Sequence, residues 1–408
     1  MMSRYAALSR AELATLVPEL LLIGQLIDRS GMAWCISEFG REEMLQIAIE
    51  EWAAASPLYT KRMQKALNYE GDDVVTIFKG LQLDIGAPPQ FMDFRYTVHD
   101  RWHGEFHLDH CGALLDVEPM GEDYVHGMCH DIEDPTFDAT ALATNRKTQV
   151  RPIHRPPRTP SDRQPHCAWT VTIDESYPEV PFIPAMDVVG ASLAHHTELA
   201  PIDPNDEGLA DYSGSLLSDV DFGAFSHSAL VRIADEVCLQ MHLLVLSFTL
   251  AVRARAGGDA AVEESIRTKQ LIGIAGVAAE RIHGALRLPG GATGALRVLE
   301  LHPLLNPAAY VSVDVDPEFL HVRRSPAYED GSWISLCSPL ADAPLQAIVQ
   351  AVDPYLRAEV SGTSSDWMVR VARTDTAAKE LGEVAVCKFS GGASWVFKER
   401  KSLPLTVV

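Results

Sequence analysis

The sequence predicts an α+β protein with two lobes, in which helices and antiparallel strands occupy separate stretches of the chain. Three observations support this class. Apolar residues recur with helical spacing at residues 8–27. Apolar and polar residues alternate with the period of a strand at 92–98 and 105–111. Two long helical stretches, 226–253 and 260–286, then precede further strand-like segments.

The first lobe is predicted to begin with helices. After the helix at 8–27, a second begins at Arg41, where acidic residues suit the positive end of the helix dipole, and a third covers 58–67. A short helix at 72–86 ends before two prolines. The two strands that follow, with a third at 167–173, form a small antiparallel sheet on which these helices pack.

The connection between the strands at 105–111 and 167–173 is expected to contain one helix and one loop. A helix at 122–131 would place His126, Cys129 and His130 on one face. The proline-rich stretch 151–165 is predicted to be an extended loop.

The second lobe is predicted to contain a long helix pair and antiparallel strands. Two glycines separate the helices at 226–253 and 260–286, which are expected to pack against each other. One more helix is predicted at 345–358. The strand-like segments are 298–301, 308–315, 333–337, 367–373, 383–389 and 394–400.

The domain boundary is predicted within residues 178–225, which are rich in Pro, Asp, Ser and Gly and are typical of a linker. The expected domains are therefore 1–177 and 226–408. The chain has 408 residues, 47% of them apolar, which is enough to bury a large core in each part.

Composition narrows the choice of partners and location. Acidic residues outnumber basic ones by 56 to 34, which argues against nucleic acid as a partner, because phosphate backbones require a basic surface. The sequence predicts no secretory signal and no membrane span. Seven cysteines in a core-rich chain are expected to be free thiols, so the predicted location is cytoplasmic. Whether the chain forms a homo-oligomer is left open.

The chemistry is expected within residues 99–169, which contain eight of the fifteen histidines and three of the seven cysteines. A cysteine attacks as its thiolate, which a neighbouring histidine stabilises, and a carboxylate can orient that histidine. The candidates are Cys111 or Cys129 as nucleophile, His130 or His107 as base, and Asp131 or Asp109 as orienting group. The alternative explanation is that these are buried structural residues, since free cysteine is often buried.

Metal binding is a second interpretation of the same residues. Zinc takes three or four Cys and His ligands. The candidate ligands are Cys111, Cys129, Cys167, His126 and His130. Iron is a further alternative, because Glu280 and His283 form a Glu-x-x-His sequence on a helix, although a di-iron bundle requires a second such motif. No nucleotide-binding glycine motif is present in the sequence, so no nucleotide cofactor is expected.

Four short segments resemble the family of L-2-amino-thiazoline-4-carboxylic acid hydrolases: HLDHC, GMCHDIEDP, TNRKTQ and HCAWTVTI. The resemblance covers roughly residues 30–175. The insertion at 151–165 and everything after 178 depart from the family pattern. The resemblance implies an α+β fold with a small-molecule site to which the cysteines belong, and with Arg146, Cys167 and Trp169 as substrate-binding residues.

The function predicted from these observations is hydrolysis of a C–N or C–S bond in a small substrate, which is expected to be cyclic and to bear a carboxylate. The alternative is a zinc- or iron-binding protein, or a ligand-binding sensor, that uses the same cluster without catalysis. No cofactor is required by the first interpretation.

Overall fold

The computed structural model describes residues 2–389 and confirms the α+β class. The strands form two small antiparallel sheets of four strands each, and helices make up most of the remainder. The predicted strand at 394–400 lies outside the described residues.

The N-terminal helices are α1 (Arg10–Phe39), α2 (Arg41–Ala66) and α3 (Val74–Leu81). A capping box starts α1: the Ser9 side chain accepts from the Glu12 backbone N–H, and the Glu12 carboxylate accepts from the Ser9 N–H. The helices α1 and α2 are longer than predicted, whereas α3 is shorter than the helix predicted at 72–86.

The boundary between α1 and α2 is set by one residue. Gly40 has a φ of 87°, a conformation that glycine adopts without steric cost, and it ends α1 and precedes α2. The separate helix predicted at 58–67 is the second half of α2, which continues through the buried Pro57. Packing on both sides of this position outweighs the one hydrogen bond that proline removes.

The first sheet has the order β1-β2-β4-β3. Its strands are β1 (Met92–Val98), β2 (His103–Cys111), β3 (Thr148–His154) and β4 (Cys167–Ile173). The strand β3 occupies the start of the stretch predicted to be a loop. The helices between β2 and β3 are α4 (Gly112–Val117), α5 (Glu122–His126), a π-helix (Gly127–Ile132) and α6 (Glu133–Leu142).

The stretch predicted to be a linker contains two short helices, α7 (Pro184–Gly190) and α8 (Leu193–His196). The predicted helix pair follows as α9 (His227–Ala256) and α10 (Ala260–Ala285). Within the described residues, α9 alone is long and apolar enough to cross a membrane. Of its most apolar window, 83% is buried inside the protein, as is typical of a central core helix.

The rest of the described chain is α11 (Gly291–Leu301), β5 (Val313–Val315), β6 (Phe319–Val322), α12 (Pro326–Glu329), α13 (Ala343–Val352), β7 (Leu356–Gly362), β8 (Trp367–Arg373) and α14 (Gly382–Phe389). The second sheet has the order β5-β6-β8-β7. Several predictions here were wrong. Residues 298–301 and 383–389 are helical and 333–336 form a 3-10 helix, because short apolar runs fit a buried helix as well as a strand.

One hydrophobic core connects the two parts of the chain. It extends from Tyr5 to Cys387 and includes residues of α1, α2, α9, α10 and both sheets. In particular, α1 packs against α9 and α10, and α2 packs against α9. The division into two domains stays a prediction.

Candidate functional site

A cavity of about 80 Å³ lies between α1, α2 and α6, beside the turn at residues 84–87. Since one water requires roughly 10–15 Å³ of such volume, the cavity holds several waters or one small organic molecule. Its charged and aromatic wall residues are Asp28, Arg29, Trp52, Tyr59, Asp84, Glu133 and Phe137. This combination of small size and charged side chains makes it the candidate site.

A close approach between α1 and the turn at 84–87 shapes one wall of the cavity. A Cβ atom on Gly24 would lie 2.4 Å from Cγ2 of Ile85, so only glycine allows this distance between the backbones. Asp28 and Arg29 follow one helical turn later in the buried middle of α1. The glycine therefore brings the turn next to the two charged residues.

The carboxyl group of Asp84 is held in a fixed orientation. Its Oδ1 accepts a hydrogen bond of 2.7 Å from the hydroxyl of Tyr59 and one of 2.6 Å from the backbone N–H of Gly86. Tyr59 lies on α2 and is itself buried, so the orientation of Asp84 depends on helix packing.

Arg29 is the only basic side chain among the described residues that line the cavity. Its Nε lies 3.8 Å from Oδ2 of Asp28 and 3.8 Å from Oδ2 of Asp116. Its guanidinium also lies 5.9 Å from the ring centroid of Phe91. The guanidinium of Arg29 therefore lies in the interior of the protein, close to the carboxyl groups of Asp28 and Asp116.

Burial shifts the carboxyl groups around the cavity toward their protonated forms. It raises the pKa of Glu133 to about 8 and the pKa values of Asp84 and Asp116 to about 6. Burial also raises the pKa of Asp28, and that of Glu51 well above its usual range, with Asp28 adding to the shift of Glu51. At neutral pH the cluster therefore contains both proton donors and proton acceptors.

Several carboxyl oxygens in this cluster are buried and have no hydrogen-bond partner within residues 2–389. They are Oδ1 of Asp28, both oxygens of Glu51 and Oε2 of Glu133. Each such group lowers the stability of the folded state by roughly 1–3 kcal/mol, and such groups are uncommon in folded proteins. Asp28 and Glu133 line the cavity, and Glu51 interacts electrostatically with Asp28, so these oxygens indicate a place for a polar ligand or water.

The three predicted cysteines are buried close to this cavity. Cys129 interacts electrostatically with Cys111 and Cys167, and all three interact with Glu133. Burial, with Glu133 second, raises all three thiol pKa values, that of Cys111 to about 12. The thiols are therefore protonated at neutral pH, which does not support attack by a thiolate.

Cys111 reaches the core because β2 is irregular at its end. Met92 pairs with Cys111 and Phe94 with Leu108, so the register shifts between these pairs. The backbone N–H of Cys111 donates a 3.1 Å hydrogen bond to Nδ1 of His166. Burial lowers the pKa of His166 to about 4, so this imidazole is neutral and serves as a structural acceptor.

The other predicted base and orienting residues lie away from the cavity wall. His107 and Asp109 interact at 3.4 Å on the solvent side of β2. Nε2 of His130 lies 2.7 Å from the carbonyl oxygen of Pro156, and Asp131 is exposed. These positions do not support their predicted roles toward Cys111.

Two of the predicted substrate-binding residues, Arg146 and Trp169, contact other side chains of the protein away from the cavity. Arg146 forms an ion pair of 2.8 Å with Glu179 at the surface. Trp169 is fully buried, with its ring 5.0 Å from that of Phe137. Neither side chain lines the cavity, and Trp169 belongs to the core between the first sheet and α6.

The predicted metal ligands do not form a metal site. Across the described part of the chain, no three His, Cys, Asp or Glu side chains are arranged to hold a metal ion. The rings of His126 and His130 contact each other with centroids 4.2 Å apart and planes tilted by 43°. At the predicted iron site, Glu280 forms an ion pair with Lys388, and His283 lies 3.3 Å from the carbonyl oxygen of Pro289.

The sequence analysis missed the residues that line the cavity. Asp28 and Arg29 directly follow the largely apolar run LLLIGQLI of α1, and this pair was a usable signal because charged side chains are rarely buried. Glu133 follows Ile132 within the GMCHDIEDP segment, in which Cys129, His130 and Asp131 were the predicted site residues. No feature of the sequence around Asp84 indicates that it is buried, because its burial depends on the contact between α1 and the turn at residues 84–87.

The raised pKa of Glu133 predicts a stability that falls as pH rises. The unfolded carboxyl loses its proton near its usual pKa of 4.5, whereas the folded one keeps it to about 8. The stabilisation is therefore complete below the unfolded pKa and is lost as pH rises through the folded pKa. We expect the free energy of unfolding to fall by about 1–2 kcal/mol between pH 6.5 and 8.

Urea unfolding at several pH values measures this slope. The window begins at 6.5 because buried histidines such as His242, whose pKa is lowered to about 4, act in the opposite direction below their usual value of 6.5. Glu133→Gln should flatten the profile. Burial also raises the pKa of Asp235 to about 7, so part of the slope should persist in that variant. An unchanged slope would contradict the assignment to Glu133.

The comparisons with known proteins do not assign the chain to a family. The chain has no significant match to a protein-family model, to a curated protein or to a solved structure. The resemblance to the thiazoline carboxylate hydrolases therefore stays a prediction based on its four short segments, and the function is argued from the cavity.

Proposed function

We propose that the protein is a hydrolase that cleaves a C–N or C–S bond of a small molecule in the cavity around Arg29. The observation that supports this most directly is the set of buried carboxyl groups on one small cavity, with pKa values raised to about 6 for Asp84 and about 8 for Glu133. Strongly shifted pKa values in a cavity are typical of groups that transfer protons.

The cavity suits a small zwitterion. Arg29 offers a guanidinium to a substrate carboxylate, in competition with Asp28 and Asp116 at 3.8 Å. The carboxyl groups of Asp28, Asp84 and Glu133 offer acceptors to an amine or amidine. A carboxylate-bearing cyclic amidine meets both requirements, and it agrees with the substrate type implied by the sequence resemblance.

The reaction balances as addition of water followed by cleavage. Asp84, which is ionised at neutral pH, accepts a proton from water, and the resulting hydroxide adds to the substrate carbon. Glu133, which is protonated at neutral pH, donates its proton to the departing nitrogen or sulfur. Asp84 ends protonated and Glu133 ends ionised, so a proton exchange between them restores the starting state.

Cys111 has a different role in this proposal from the one predicted from the sequence. Its thiol is buried next to the cavity and interacts with Glu133, and its pKa is raised to about 12. In the proposed reaction the protonated thiol takes no chemical part, and water is the nucleophile. The seven cysteines are all free and buried, which supports the proposed cytoplasmic location.

A substrate panel with one variant tests the proposal. Purified protein is incubated with L-2-amino-thiazoline-4-carboxylate, related cyclic amidines and thiolactams, and products are detected by mass spectrometry with ¹⁸O-labelled water. We expect turnover that incorporates ¹⁸O, and we expect Cys111→Ala to retain at least about a tenth of it. Loss of all turnover in a folded Cys111→Ala would favour a thiol nucleophile. Binding without turnover across the panel would favour the ligand-binding alternative.

A further inference from the structure

A second cavity, of about 400 Å³, lies on the other side of α2 and α6. Its position is distinct because α2 contributes Leu58, Lys61, Arg62 and Lys65 here, and contributes Trp52 and Tyr59 to the first cavity. The spacing of these four residues places them on one face of the helix. The volume lies within the range of about 300–1,000 Å³ typical of sites for small organic ligands.

The charge of this cavity differs from that of the whole chain. The protein has a net charge of −22, yet the described residues that line the cavity include Lys61, Arg62 and Lys65 and no Asp or Glu. Arg62 is held by Glu236 at 2.9 Å, and Lys61 lies 3.1 Å from Glu70. Lys65 is exposed and forms no ion pair within the described chain. Its charge is thus available to a ligand.

The rest of the wall is largely apolar. Leu142 comes from the end of α6, and Phe182 and Met186 come from the segment that includes α7. Phe182 has 42% of its surface exposed, although aromatic side chains of this size are usually covered. The segment predicted to be a linker therefore provides an apolar wall opposite the basic face of α2.

His195 adds a neutral polar group to this cavity. Its ring lines the wall, and its Nδ1 is buried without a hydrogen-bond partner in the described part of the protein. Burial, followed by the charges of Arg62, His196 and Lys65, lowers its pKa to about 4. The imidazole is neutral at pH 7 and the positive charge of the cavity resides on the lysines and Arg62.

We propose that this second cavity binds a small anion with an apolar body, for which a medium-chain monocarboxylate is the simplest example. The carboxylate lies at Lys65 and Lys61, and the hydrocarbon part packs against Leu58, Phe182 and Met186. The site is independent of the proposed hydrolysis, because none of these side chains lines the first cavity.

Calorimetric titration tests this proposal with octanoate as the probe. Octanol, which has the hydrocarbon chain without the charge, and inorganic phosphate, which has the charge without the chain, are the two controls. We expect octanoate to bind to one site, and octanol and phosphate each to bind at least about tenfold more weakly, equal to ~1.4 kcal/mol. Phosphate that binds as tightly as octanoate would show a simple anion site and overturn the apolar half of the proposal. Octanol that binds equally well would overturn the ionic half.

Matched variants locate the site. Lys65→Ala should weaken octanoate binding about fivefold to tenfold, whereas Lys379→Ala, which removes an exposed lysine elsewhere, should leave it unchanged. Met186→Glu should abolish binding by placing a carboxylate on the apolar wall. Glu133→Gln, in the first cavity, should leave binding unchanged. Equal binding to the wild type, Lys65→Ala and Met186→Glu, or no binding at all, would overturn the proposal without affecting the proposed hydrolase.

Discussion

Replacing Glu133 with glutamine should lower turnover by about 10²–10⁴-fold, the usual contribution of a general acid or base. Glutamine has nearly the same shape as the protonated glutamic acid that burial favours at neutral pH, so the fold should be retained. It cannot donate a proton to the departing nitrogen or sulfur, which is the step assigned to Glu133. Steady-state kinetics on the substrate identified in the panel measures the effect.

The pH dependence distinguishes a direct role of Glu133 from a structural one. In the wild type, turnover should fall above a pKa near 8 as the Glu133 carboxyl ionises. Glu133→Gln should lack this fall at any residual activity. Glu122→Gln, at an exposed position on α5, is the control and should match the wild type. Wild-type turnover in a folded Glu133→Gln would exclude Glu133 as the acid.

The second large effect concerns stability. Trp169→Ala should lower the free energy of unfolding by about 3–5 kcal/mol, the range for truncation of a large buried aromatic residue. Trp169 has none of its surface exposed, and its ring lies near those of Phe106, at 6.3 Å, and Phe137, at 5.0 Å. The alanine would leave a cavity between the first sheet and α6, which chemical denaturation measures.

A second tryptophan provides the control for this measurement. Trp102 has 36% of its surface exposed, and its ring contacts the guanidinium of Arg101 at 4.3 Å. Trp102→Ala should cost less than about 1 kcal/mol. If Trp169→Ala were instead as stable as the wild type and lost only substrate affinity, Trp169 would be the substrate contact predicted from the sequence.

Periodicity located the long elements of this protein well. The helices at 226–253 and 260–286 and the strands at 92–98, 105–111 and 167–173 match α9, α10, β1, β2 and β4 closely. Long amphipathic or alternating patterns are reliable because they reflect which face of the element is buried. The short apolar runs at 298–301 and 383–389 were misassigned as strands, since four to seven apolar residues fit either structure.

The candidate site was predictable only in part. The stretch rich in cysteine and histidine lies near the cavity, because Cys111, Cys129 and Cys167 are buried together beside Glu133. The sequence analysis, however, predicted that thiols and imidazoles carry out the reaction, because the sequence does not show that these groups are buried. Burial keeps these thiols protonated, and it also raises the pKa values of the Asp84 and Glu133 carboxyl groups toward neutral pH, where they can transfer protons.

The amino-acid sequence alone determined the fold class, the helix pair α9 and α10, and the acidic balance of 56 to 34 that argues against nucleic acid. These properties follow from local periodicity and composition. Only the tertiary structure decided which charged groups lie together, because Asp28, Asp84 and Glu133 are far apart in the chain and meet through packing. Desolvation, the effect that shifts their pKa values, depends on that packing and on no local pattern.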